Sequence, residues 1–298
     1  MAAAWAAVRD ARKLSRMHPE GRALLAGALN DLGAALFDAG QPRRAVKPAA
    51  KAIAIWREIV EVDPEYRGEL AGTLTNLARA RWEIGHAAAA IAAADEAITR
   101  FRNLVPGQPR TYRRKLAAEL SDLALRLSQL GRHLEALPFA VEGVATYRAA
   151  ARAGNAGEDY LARSLNTNAA VLAGLGRLDE AIQAHNEAIV VWRRLSAAAP
   201  RIELAQALFN LAGKFALQHR WAEAADVSAE AIQHYRALLA ANRLMSFVPG
   251  LGSSPMHDEM TRELRAEAAM VLHNRVIFLT EAGRPDEATA ASHELTDL

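Results

Sequence analysis

The chain has 298 residues, 51% apolar and only 6% aromatic, with no cysteine and a net charge of +2 from 36 basic and 34 acidic side chains. These values exclude disulfides, thiolate metal sites and a cysteine nucleophile, and they lack the strong basic excess of a dedicated nucleic-acid binder. Alanine fills 68 positions against 11 prolines and 18 glycines, which predicts helix nearly throughout because Ala has the highest helix propensity.

Residues 1–19 come first. The start, MAAAWAAVRDARK, has no signal-peptide core, and no apolar run in the chain reaches the roughly 18 residues that span a bilayer. Pro19 lies 21 residues before Gly40, as Pro64 lies 21 before Gly85. Residues 1–19 are therefore expected to form a lone helix in the place of a preceding unit's second helix, either a cap or part of a longer protein.

From there the chain repeats itself. The segments LNDLGAALFDAGQPRRA, LTNLARARWEIGHAAAA, LSDLALRLSQLGRHLEA, LNTNAAVLAGLGRLDEA, LFNLAGKFALQHRWAEA and LHNRVIFLTEAGRPDEA align without gaps. Their hinge residues are Gly40, Gly85, Gly131, Gly176, His219 and Gly283, spaced by 45, 46, 45, 43 and 64. The expected organisation is repeat 1 over 20–64, repeat 2 over 65–109, repeat 3 over 110–155, repeat 4 over 156–200 and repeat 5 over 201–243. An apolar Gly/Pro loop insertion follows over 244–260, then a sixth repeat or cap over 261–298.

Each unit reads as two helices. The first carries Leu eleven residues before the hinge: Leu29, Leu74, Leu120, Leu165, Leu208 and Leu272. A hinge glycine ends that helix in the left-handed conformation, so His219 is expected to be strained or differently closed. The second helix carries Ala at hinge offset +5 in every unit and, in the first five, small or modest residues at +9 and +12 and an aromatic at +16, as in Ala45, Ala49, Ala52 and Trp56. Steps of four, three and four residues share one face. Pro64, Pro109 and Pro200 at +24 are expected to stop the second helix.

The Leu32-Gly33-x-x-Leu36 step, the turn glycine and the Ala at +5 resemble the tetratricopeptide repeat over about residues 20–242 and 264–298. First-helix Leu in place of the usual Trp and Tyr, and units about 11 residues longer than the common 34-residue form, make the array similar to those of kinesin light chains and of actinobacterial signalling proteins. The resemblance implies an all-α, right-handed α-solenoid of antiparallel helix pairs whose first helices line a concave groove for a protein or peptide.

In such repeats the residue nine before the hinge faces the groove. That column reads Asp31, Asn76, Asp122, Thr167, Asn210 and Asn274; its amides suit an extended peptide backbone, and the alternative is that these residues face solvent or bond neighbouring helices. Neighbouring groove candidates are Asn30, Arg79, Trp82, Arg163, Asn166 and His273. Arg79 offers a partner for a ligand carboxylate and Trp82 a flat apolar contact. A second column, Arg57, Arg102, Arg148, Arg193 and Arg236, directly follows the stripe aromatics. Such a ladder suits an anionic partner, but salt bridging to adjacent units is the stronger expectation.

The stretch LMSFVPGLGSSPMHDEM, residues 244–260, is too rich in Pro and Gly for one continuous helix; it is expected to be a mobile loop or to fold over the groove or a partner. No zinc-binding helix motif, nucleophile elbow or phosphate loop occurs, and no metal, cofactor or catalytic residue is expected. Of the 36 basic residues 31 are Arg, which with the alanine excess matches a GC-rich bacterial genome. The expected function is a non-catalytic, cytoplasmic protein-protein interaction module of a larger bacterial signalling or regulatory protein. It would have protein or peptide partners and no membrane or nucleic-acid contact. The alternative is a ligand-sensing solenoid that encloses a small or anionic ligand and controls a fused effector.

Overall fold

The computed structural model describes residues 2–18, 20–154, 157–197, 201–245 and 255–297. The described residues form thirteen α-helices, one short 3-10 helix at Pro64–Tyr66, and no strand. In order these are α1 (Ala2–Met17), α2 (Gly21–Asp38), α3 (Pro42–Val62), α4 (Arg67–Glu83), α5 (Ala87–Leu104), α6 (Pro109–Gln129) and α7 (His133–Arg152). They continue with α8 (Glu158–Gly174), α9 (Leu178–Leu195), α10 (Ile202–Leu217), α11 (Trp221–Met245), α12 (Pro255–Glu281) and α13 (Pro285–Asp297). The chain divides into two compact units, residues 1–126 with 145–156, and residues 127–144 with 157–298.

The hinges explain why the helices pair. Gly40, Gly85, Gly131, Gly176 and Gly283 have φ between 69° and 79°. At Gly40 the glycine N–H donates to Phe37 O and the next N–H, of Gln41, donates to Leu36 O, both at 2.9 Å. This is the Schellman closure of a helix end. His219 closes the same way, donating to Ala216 O at 2.9 Å while Arg220 N–H donates to Phe215 O at 2.9 Å. Its φ of 57° makes it the one non-glycine residue at positive φ among those described. The hinge is thus not differently closed but strained: backbone hydrogen bonding dictates the geometry, and the imidazole tolerates it edge-on to Trp221, at a ring separation of 5.4 Å.

Within the first unit, residues 1–126 and 145–156, α1 packs on α2, α2 on α3, α3 on α4 and α4 on α5. The stripe of α3, Ala45, Ala49, Ala52 and Trp56, is buried, as are Ala90, Ala94, Ala97 and Phe101 of α5. Trp56 stacks on Tyr66 with centroids 5.2 Å apart. Within the second unit α8 packs on α9, α9 on α10, α10 on α11, α11 on α12 and α12 on α13. There the stripes run Ala181, His185, Ala188, Trp192 and Ala224, Ser228, Ala231, Tyr235, all buried. Small side chains let the helix backbones approach, and the fully buried aromatic fills the widening gap; such a side chain contributes about 1.5–3 kcal/mol by burial.

Two details depart from expectation. Pro64 directly follows the cap of α3, whereas α5 already ends at Leu104, five residues before Pro109, and each proline opens the next segment, Pro64 the 3-10 turn and Pro109 helix α6, as suits a residue lacking an N–H; Pro200 lies outside the described residues. The insertion drawn as a loop over 244–260 is helical at both ends, since α11 runs through Met245 and α12 begins at Pro255. Pro255 acts as a first-turn residue there rather than as a breaker. Residues 246–254, which carry most of that expected loop, lie outside the described residues.

Candidate functional site

In the first unit the first helices α2, α4 and α6 bring together several of the sequence candidates. Asn76 on α4 donates through Nδ2 to Asn30 Oδ1 on α2 at 2.9 Å. Asn30 in turn donates to Asp31 Oδ1 at 3.4 Å. Arg79, one turn along α4, lays its guanidinium over the Phe37 ring at 4.6 Å. Trp82 is half-buried, with the Arg126 guanidinium over it at 5.3 Å, while Arg126 Nη1 donates to Ala78 O at 3.3 Å. The flat indole face proposed for a ligand is thus already shared with an arginine.

Beside these residues lies a cleft of about 540 Å³, lined among others by Asn30, Thr75, Asn76, Arg79, Lys115, Glu119 and Asp122. Glu119 is only 6% exposed. Burial pushes its carboxyl up to about 7, with Asp122 adding to the rise and a Thr75 hydrogen bond, Arg126 and Arg79 opposing it. Burial also raises Asp122, against the pull of Arg126 and Arg79. The cleft therefore combines amides that donate and accept, cations at its edge and a carboxyl poised between its charged and neutral forms.

The sequence pattern passed over Glu119, Thr75 and Lys115. Glu119 precedes the hinge-register Leu120, where an acidic residue reads as solvated surface, and nothing local announces that α4 covers it.

The second unit places its candidates differently. Arg163 on α8 pairs with Glu203 on α10 at 2.6 Å and lies 6.0 Å from the Trp192 ring centroid. Asn166 Oδ1 accepts from His185 Nδ1 at 3.2 Å, and Thr167 Oγ1 donates to Arg163 O at 3.3 Å. Gln206 on α10 donates to Glu267 Oε1 on α12 at 3.1 Å, and Tyr235 Oη donates to Glu267 Oε2 at 2.8 Å. His185 is 2% exposed; burial, with help from Lys214, pulls it down to about 4, so it is neutral. Asn210 and His273 are exposed and Asn274 is half-buried.

The arginine ladder is satisfied by a partner column that the sequence reading missed. Arg57 pairs with Glu96 at 2.8 Å, Arg193 with Glu230 at 2.7 Å, and Arg236 with Glu294. Each of these acids stands eleven residues after its own hinge, a position that also holds Glu142 and Glu187. The recurrence at +11 was the signal that could have revealed it. Among the described residues no three His, Asp or Glu side chains gather to hold a metal ion, and no helix is long and apolar enough to cross a membrane.

Sequence models described as tetratricopeptide repeat match residues 25–65 and 160–237. No curated protein matches the chain. Among solved structures, BtubC (BKLC) from P. vanneervenii is similar, with TM-score 0.62 and 19% identity over 86% of this chain and 90% of that one. A Rap protein complexed with competence and sporulation factor has TM-score 0.51 and 15% identity, over 93% of this chain and 74% of that one. A kinesin light chain with nearly identical TPR-like repeats, from Podosopora anserina, has TM-score 0.53 and 18% identity, over 73% of this chain and 97% of that one. At these identities the likeness is one of fold.

Proposed function

This chain is a tetratricopeptide repeat protein, and we propose that it is a non-catalytic interaction module that holds an extended segment of a protein partner against the first helices of its first unit. The observation that carries this reading is the cleft of about 540 Å³ beside the Asn30–Asn76 amide pair. Asn76, Arg79 and Asp122, three of the residues that the repeat register singles out, line it. A peptide's N–H groups would be received by Asp122 and the amide oxygens, and its carbonyls by Lys115 and the amide nitrogens. The fold neighbour recorded in complex with competence and sporulation factor supports occupancy of such a fold by a bound factor. A bacterial, cytoplasmic regulatory setting belongs to the same proposal, as do the repeat boundaries and the remaining first-unit candidates Asp31 and Trp82; Asn166, Thr167, Asn210, His273 and Asn274 belong to the second unit and do not line this cleft.

The test is photo-crosslinking in cells that express the protein. A benzophenone side chain replacing Asn76 is expected to capture a protein partner. The same probe replacing Val190 on α9, 63% exposed, is expected to capture none. Combining Arg79→Ala with Lys115→Ala should reduce that capture at least tenfold without moving the melting temperature. Equal capture from positions 76 and 190 would reject the cleft as the binding face.

A further inference from the structure

A 45-residue shift superposes two concavities of the first unit. One, of about 310 Å³, lies among α3, α4 and α5 and contains the Arg57–Glu96 pair. The other, of about 410 Å³, lies among α1, α2 and α3. In the shifted register Arg12 stands for Arg57, but Lys51 stands for Glu96 and Lys47 for Ala92. The ladder's ion pair is thereby replaced by two facing cations, and Arg43 and Arg44 line the same cleft. Among the described residues Arg12, Arg43, Lys47 and Lys51 have no carboxylate partner; Arg44 donates to Gln41 Oε1 at 2.6 Å.

The apolar side of this cleft also differs. Trp5 replaces Ala50, and Leu36 replaces Arg81, which in the other cleft donates to Ala89 O at 3.1 Å. Ala11 occupies the register of the wedge residue Trp56, and Trp5 remains 47% exposed. The result is an apolar floor under a rim of unpaired positive charge. A simple salt-bridging or solvated surface would need neither the floor nor the conversion of the acid to lysine.

We propose that this cleft binds an acidic peptide segment of a partner protein, in which carboxylates flank one apolar side chain. A carboxylate of the segment takes the place that Glu96 occupies against Arg57, meeting Arg12 and Lys51. A second meets Lys47 and Arg43, and the apolar side chain lies on Trp5 and Val8. The rim is exposed, so the charge contribution is screened by salt, and the apolar contact sets how far affinity survives at physiological ionic strength. The site is separate from the first-helix cleft, because Leu29, Leu32 and Leu36, on the buried face of α2, line it while Asn30 lines the other.

The experiment uses the full chain and a fluorescein-labelled Glu-Glu-Leu-Glu-Glu peptide, read by anisotropy. Binding is expected to weaken at least tenfold with Lys51→Glu, which restores the ladder's charge pattern opposite Arg12, and several-fold when the peptide's Leu becomes Gly. The Gln-Gln-Leu-Gln-Gln peptide should not bind. Arg79→Ala should leave this affinity unchanged, so that failure here is distinguishable from failure of the first-helix cleft. Unchanged affinity with Lys51→Glu would overturn the proposal. So would displacement of the peptide by inorganic phosphate at matched ionic strength, which would indicate a bare anion site, or binding to phosphatidylserine vesicles in preference to the peptide.

Discussion

Along α4 and α6 the first-helix polar face opens onto a cleft beside a neutral amide pair, Asn30 with Asn76. Along α8, α10 and α12 the first helices are tied together through carboxylates, Arg163 pairing with Glu203 and Gln206 donating to Glu267. The two units share a register, a hinge geometry and a wedge of aromatics. They differ in the kind of link that joins successive first helices, an amide bonded to an amide beside an open cleft in the first unit and carboxylates that accept from neighbouring helices in the second. A repeat position determines which face a residue occupies, and the neighbouring unit determines whether it is available.

The same contrast extends to protons, and it gives the largest expected effects. Glu119 is raised from 4.5 to about 7, so at pH between those values the folded first unit holds a proton that the unfolded chain has lost. The contribution of Glu119 to that unit's stability is greatest below about 4.5 and falls as pH rises to about 7, by on the order of 3 kcal/mol in all. His185 is lowered from 6.5 to about 4, so between those values the unfolded chain binds the extra proton. The second unit is expected to keep its full stability above about 6.5 and to lose on the order of 3 kcal/mol as pH falls toward 4. Hydrogen exchange, corrected for intrinsic rates and read separately over residues 67–126 and 201–245, should show opposite pH trends. Glu119→Gln should flatten the first and His185→Gln the second. Parallel trends would break the comparison.

A smaller effect separates internal partnership from availability. Glu267→Ala strips the acceptor from Tyr235, which is only 1% exposed, and from Gln206. It should cost about 2 kcal/mol in thermal or urea unfolding. Asn76→Ala removes one half-buried amide link and should cost about 0.5–1 kcal/mol. If the two costs are equal, the first-unit column is as structural as the second. Smallest of all, His219→Gly should relieve the left-handed strain, about 1 kcal/mol before the lost Trp221 contact is set against it, and raise the melting temperature slightly. A fall would mean that the ring contact outweighs the strain.

The two clefts related by a 45-residue shift carry the lesson to single residues. Lys51 looks ordinary in isolation; it becomes informative only beside Glu96, Glu142, Glu187, Glu230 and Glu294 in the same column. Register alone could have found that departure. Glu119 is a different matter, because a Glu in KLAAELSDL carries no local sign of burial, and its environment comes from side chains on α4 such as Thr75 and Arg79.

Periodic features were therefore legible in the chain itself. The hinges, the paired helices, the buried Ala-to-aromatic stripes and the polar first-helix column all follow from local φ preferences and from the 3.6-residue turn, which any repeat of this length displays in one dimension. Which polar groups are consumed by neighbours, which carboxyl is desolvated and which joint is left unpaired depended on side chains about 45 residues apart coming within hydrogen-bonding distance. Hydrogen bonds and desolvation act over a few ångströms in space, so only the stacked helices could decide them.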